Sequence, residues 1–152
     1  MAIDTILLAV GPNDRDRVDR LAEETVDVAG PTGASVVVAH VFTQEEYDVT
    51  IEKLDFDRKR DEIKPGDVAR RHESIREVAA RLDEADIDYE IRGAVGDHGE
   101  SIVGLAGEIG ADRIVIGGRR RSPTGKAVFG SVAQTVLLDS PCPVTFVRVG
   151  TE

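Results

Sequence analysis

The chain has a single cysteine, Cys142, which excludes an internal disulfide and any multi-cysteine metal site. It has no tryptophan, two tyrosines and four phenylalanines, so its core must be built from Val, Ile, Leu and Ala. No apolar run reaches the length of a membrane span. Met1-Ala2-Ile3-Asp4 lacks the charged and apolar regions of a secretory signal. A formal net charge of −10 repels nucleic acid and anionic membrane alike, so neither is expected as a partner. These absences point to a soluble cytoplasmic chain. Its 152 residues fit one domain, 1–152, able to bury about 70% of its unfolded surface.

Short apolar runs alternate with segments of helical period. Thr5 to Val10 is a continuous apolar run ending at Gly11-Pro12, as expected of a central parallel strand. Val18, Leu21, Ala22, Thr25, Val28 and Ala29 recur at helical spacing, with Gly30-Pro31 as the stop. Ala34 to Val41 reads as a second buried strand. Residues 43–67 dissolve into charges and form a charged, mobile excursion with one helical piece. Val68, His72, Ile75, Val78, Ala79 and Leu82 define one further helix. Ile87 to Ala94 alternates, as a strand nearer a sheet edge does. A helix carrying Ile102, Leu105, Ala106 and Ile109 follows, then a strand from Arg113 to Gly117. The last helix carries Phe129, Val132, Ala133, Val136 and Leu137, and the last strand is Val144 to Val149. Such alternation implies right-handed βαβ crossovers and an open parallel sheet with helices on both faces. Ligands in such sheets sit at the carboxyl ends of strands, where the winding reverses.

The loop after the Arg113 strand is the most informative stretch. Residues 113–138 contain no acid, although about five would be expected by proportion, and they carry Arg113, Arg119, Arg120, Arg121 and Lys126. A glycine- and cation-rich loop between a strand and a helix N-terminus is a phosphate-binding arrangement. Ser131-Val132-Ala133-Gln134 has the form of a capping box at that N-terminus. Gly125-Lys126 does not complete a P-loop, because Arg120 stands at the required first glycine and Ala127 at the magnesium-binding hydroxyl position. His40, His72 and His98 are far apart, on different kinds of element, and show no metal-ligand spacing. His40 ends a strand, His72 lies on the apolar face of a helix, and His98 follows Asp97, which reads as a helix cap. Cys142 has no base beside it. The residues form no catalytic constellation, and the chain is not expected to be an enzyme, slow ATP hydrolysis aside.

The succession Ile6-Leu7-Leu8-Ala9-Val10, Ala39-His40-Val41, Val95-Gly96-Asp97, Ala111-Asp112-Arg113-Ile114-Val115-Ile116-Gly117, Gly130-Ser131-Val132-Ala133 and Pro141-Cys142-Pro143-Val144 resembles the universal stress protein family over nearly the whole length. The resemblance implies a Rossmann-like α/β fold of the adenine nucleotide α-hydrolase type. Its five parallel strands run in the order 3-2-1-4-5, and the protein is usually a homodimer. Family members that bind ATP carry Gly, two residues, Gly, nine residues, then Gly and Ser/Thr. Gly117, Gly130 and Ser131 match this pattern, while Arg120 stands at the middle glycine and Gly11 where nucleotide-binding members have an Asp. By position, the resemblance puts adenosine near Ala9, Val10, Gly11, Val41 and Ile116. It puts the phosphates near Gly117, Arg119, Arg120, Gly130, Ser131, Val132 and Ala133, with a divalent metal arriving only with the nucleotide.

Two functions remain open at this point. One is a nucleotide-regulated stress protein holding ATP or another adenine nucleotide. The other is a dimeric interaction module without nucleotide, paired through the edge strand Val144–Val149.

Overall fold

A parallel strand buried on both faces must be apolar at its buried positions, and Ile6, Leu7, Leu8 and Ala9 meet that demand in Thr5–Ala9, the central strand β1 of the computed structural model. The structure describes residues 3–53, 63–119 and 130–149. β2 is Ser35–Phe42, β3 Tyr89–Val95, β4 Arg113–Arg119 and β5 Val144–Val149, all parallel, in the order β3-β2-β1-β4-β5. The expected fold class and strand order are both realised. Helix α1 is Val18–Thr32, α2 Gln44–Lys53, α3 Pro65–Arg71, α4 Glu73–Glu84, α5 His98–Ile109 and α6 Ser131–Asp139.

The strand period of two divides the core. Ile6, Leu8 and Val10 face α1 and α4, packing with Leu21, Ile75, Val78 and Leu82. Leu7 and Ala9 face α5 and α6, packing with Ile102, Ala106, Ala133 and Val136. Fully burying each Leu or Ile contributes about 1.5–3 kcal/mol, so β1 alone anchors both layers. A third, smaller cluster of Phe42, Ile51, Val68 and Ala69 seats α2 and α3 beyond the end of β2.

Two local expectations are corrected. Pro31 does not stop α1, which runs to Thr32. A proline in the last turn removes one backbone bond, and the Thr32 hydroxyl donates to the Val28 carbonyl at 2.6 Å. The stop is Gly33, at φ +73°, whose N–H bonds the Ala29 carbonyl at 2.9 Å. The segment from Val68 to Leu82 is two helices, broken where His72 takes an extended ψ of 131° and its Nδ1 accepts the Ser74 N–H at 3.3 Å. The helical piece expected in the charged excursion is α2. Thr43 and Glu46 form a reciprocal capping box at the start of α2, with bonds of 2.8 and 3.1 Å.

Helix α3 lies against edge strand β3 through a glycine contact. A Cβ at Gly93 would overlap the Pro65 carbonyl and sit 2.8 Å from the Gly66 nitrogen, both backbone and therefore unable to yield. Gly93→Ala is expected to destabilise the fold by about 1–3 kcal/mol, read as a lower urea midpoint. An unchanged midpoint would show that α3 is not seated on β3.

Candidate functional site

β1 and β4 pair with Leu8 opposite Val115, so the residues after each strand emerge side by side at the carboxyl edge. Ala9, Val41, Ile116, Val132 and Ala133 belong to one apolar cluster on the α5/α6 face. Val10 points to the opposite face, against α1 and α4. The anticipated adenosine residues are thus split between the two sides of the sheet. Ala9, Val10, Val41 and Ile116 are all buried, so they form a floor beneath that edge.

Gly130 is the N-cap of α6 at φ −63°, ψ 163°, and its carbonyl accepts the Gln134 N–H at 3.0 Å. The expected capping box is therefore corrected. Ser131 is the first helical residue, no side chain among the described residues caps the helix, and both Gly130 and Ser131 are exposed. The physical reason is that Gly130 already has the extended backbone of a cap, which moves Ser131 one position into the helix. The first-turn amides, including those of Ser131, Val132 and Ala133, have no intrahelical acceptor and carry the positive end of the helix dipole. Gly117 and Arg119 lie in the last turns of β4, with Arg119 paired to Val149. Arg120 and Arg121 lie outside the described residues.

Two polar groupings at this edge have no counterpart in the sequence reading. The first is Asp14 with Arg17, an ion pair in the turn between β1 and α1. Asp14 Oδ2 also accepts the Gly11 N–H at 2.6 Å. The second is a set of imidazoles and one carboxylate. The His40 and His72 rings lie 4.3 Å apart at 32°, and Phe42 meets His40 edge-on at 4.4 Å. Nδ1–H of His40 donates to the Val10 carbonyl at 2.6 Å, and His98 Nε2–H donates to Glu46 Oε1 at 2.7 Å. A cavity of about 300 Å³ opens beside them, lined by Pro12, His40, Phe42, Glu45, Glu46, Val49, Thr50 and His72. Among the described residues, no group of His, Cys, Asp and Glu is arranged to hold a metal ion.

Burial, reinforced by the neighbouring His72, lowers the His40 pKa from 6.5 to about 4, against the opposing pull of the Val10 carbonyl and Glu46. Burial also lowers the pKa of His72, with Glu73 opposing. Burial alone would raise the Glu46 carboxyl, but its bonds from Thr43 and His98 win and lower it. The unfolded chain protonates a histidine near pH 6.5 whereas folded His40 resists down to about pH 4. Its neutral form therefore supports the fold fully above pH 6.5, and that support, on the order of 3 kcal/mol, is lost as pH falls between these values. Urea midpoints should drop over that interval, and the His40 ring resonances should titrate near pH 4. A His40 midpoint at 6.5 would contradict the burial argument.

Comparison with known proteins accords with the fold. The Universal stress protein family model matches residues 2–148. A universal stress protein of Mycolicibacterium smegmatis is 40% identical over 75 residues, 49% of this chain and 58% of that protein. The aligned stretch spans about half the length of the curated relatives it matches. A solved universal stress protein from Archaeoglobus fulgidus is similar at TM-score 0.71 and 27% identity, over 95% of this chain and 98% of that one. Another from that organism, solved in complex with dAMP, has TM-score 0.67 and 23% identity over 97% and 100% of the two chains, a likeness of fold. With the strand order and a match from residue 2 to 148 in agreement, the chain belongs to the universal stress protein family.

Proposed function

We propose that this protein binds ATP or a related adenine nucleotide as a regulatory ligand, with little or no hydrolysis. The observation that carries the reading is the uncapped N-terminus of α6, with exposed Gly130 and Ser131, beside the ends of β1 and β4. It lies within the stretch 113–138, which is clear of acids in a chain of net charge −10. Dipole, free amides and local cations all favour a phosphate there. The dAMP complex of the Archaeoglobus fulgidus relative supports an adenine nucleotide as the ligand.

In this reading, Ala9, Val10, Gly11, Val41 and Ile116 border the adenosine. Gly117, Gly130, Ser131, Val132 and Ala133 approach the phosphates with backbone amides. The guanidinium of Arg120, with Arg119, supplies the bidentate contact that a glycine at position 120 would leave to the backbone. A divalent ion enters with the phosphates. The ligand acts by mass action, since a nucleotide at a hundred times its Kd stabilises the bound form by about 2.7 kcal/mol.

The protein acts in this reading as a homodimer. Among the described residues β5 pairs with β4 alone, which leaves an apolar edge strand that needs cover.

Calorimetry with ATP should give micromolar affinity, and neutralising Arg119, Arg120 and Arg121 together should weaken it at least tenfold. Equal affinity in that variant would remove the arginines from the site, and no heat with ATP, ADP or AMP would remove the nucleotide. Sedimentation at micromolar concentration should show a dimer, and a monomer would refute pairing through Val144–Val149.

A further inference from the structure

The turn between β1 and α1 holds a cation whose surroundings are built rather than incidental. Asp14 and Arg17 have side chains only 8% and 13% exposed. The Asp14 carboxylate is held from two directions, by the Gly11 N–H at 2.6 Å and by Nε of Arg17. The arginine stem is fixed from a third. A Cβ built on Gly117 would lie 2.9 Å from Arg17 Cδ, 3.1 Å from its Nε and 3.2 Å from Leu21 Cδ2. Arg17 therefore rests on the bare backbone of β4, at the first glycine of the phosphate-binding pattern.

One end of this guanidinium is used and the other is not. Nε is committed to Asp14, while the two terminal nitrogens have no hydrogen-bond partner among the described residues. Both terminal nitrogens keep access to solvent, because among the described residues the buried side-chain donor without a partner is Nε of Arg113, so they are free to meet a ligand. Asp14 orients the group but does not satisfy it, because part of its own accepting capacity goes to Gly11. A planar fork held rigid at the carboxyl ends of β1 and β4, with terminal donors to spare, matches the oxygens of a phosphoryl group. A role confined to stapling the turn would need only the Nε contact.

We infer that Arg17, oriented by Asp14 and seated on Gly117, is a phosphoryl-binding residue of the crossover site. The identity of the phosphoryl group as a nucleotide's rests on the function proposed above, whereas the anion site does not. Arg17 is the scaffold-borne member of the site, fixed before ligand arrives.

The test uses three probes on the full chain: adenosine, ATP and inorganic tripolyphosphate. Arg17→Gln should weaken ATP and tripolyphosphate at least tenfold while leaving adenosine affinity within twofold. Arg17→Lys keeps the stem on Gly117 and the charge but loses the fork, and should weaken both at least fivefold. It carries the test if the glutamine variant does not fold. Wild-type affinity for ATP and tripolyphosphate in either folded variant would overturn the inference and leave nucleotide binding standing. An equal loss of adenosine and ATP would show that Arg17 only shapes the turn, and would also overturn it. Tripolyphosphate binding that depends on Arg17, with no binding of adenosine or ATP, would refute the nucleotide and retain the anion site. A wild-type protein that binds none of the three would refute both.

Discussion

Everything at the carboxyl edge depends on β1 being buried on both faces. Ile6, Leu8 and Val10 must find one helical layer while Leu7 and Ala9 find the other, so β1 can only be central. Once it is central, the winding reverses across it, with β2 on one side and β4 on the other. Gly11, Asp14 and Arg17 from the first crossover are thereby brought against Gly117 from the fourth strand. No residue of that edge is close to all the others in sequence. Their meeting follows from the hydrophobic demand of five residues.

The same edge separates two electrostatic environments. On the side of α2 and α4, His40 is kept neutral by burial, and its ring ties β2 to the Val10 carbonyl at the end of β1. Glu46 there is kept ionised by Thr43 and His98. On the side of β4 and α6, the first-turn amides of α6 belong to a stretch of sequence, 113–138, that carries no acid. The position where nucleotide-binding relatives carry an aspartate is Gly11 here, and Asp14 Oδ2 lies 3.4 Å from where a Cβ at 11 would be. A carboxylate is present in that neighbourhood, reached from three residues further along the chain.

Much of the fold was legible because apolar runs and helical periods are strong local signals. All five strands stand where such runs are, and the Asp97 cap of α5 is made through a 3.0 Å bond to the Glu100 N–H. What escaped was decided by contacts that periodicity does not encode. Val68, Ile75, Val78 and Leu82 keep a helical spacing across His72 because α3 and α4 both bury their faces, so the break between them left no trace. The cue was a histidine acting as a cap, a role in which its ring nitrogen replaces the usual hydroxyl or carboxylate. At the carboxyl edge, the family resemblance drew attention to Gly117 and Gly130. Asp14 and Arg17 were not, because a run of alternating charges reads as solvated surface. Only the fold reveals that Arg17 turns inward onto Gly117, far along the chain. The histidines likewise carried no ligand spacing, and their stacking is a property of the assembled β2 and α4.

The seat of Arg17 has a consequence for how such chains can diverge. Any side chain at position 117 would take the space now filled by Cδ and Nε of Arg17. A lineage that loses this glycine must also shorten or move the arginine, and Asp14 would then hold a buried charge without its partner. Positions 14, 17 and 117 are therefore bound to drift as a unit. Among descendants of this sequence, the two charges should be found together over a bare position 117, or all three should be replaced.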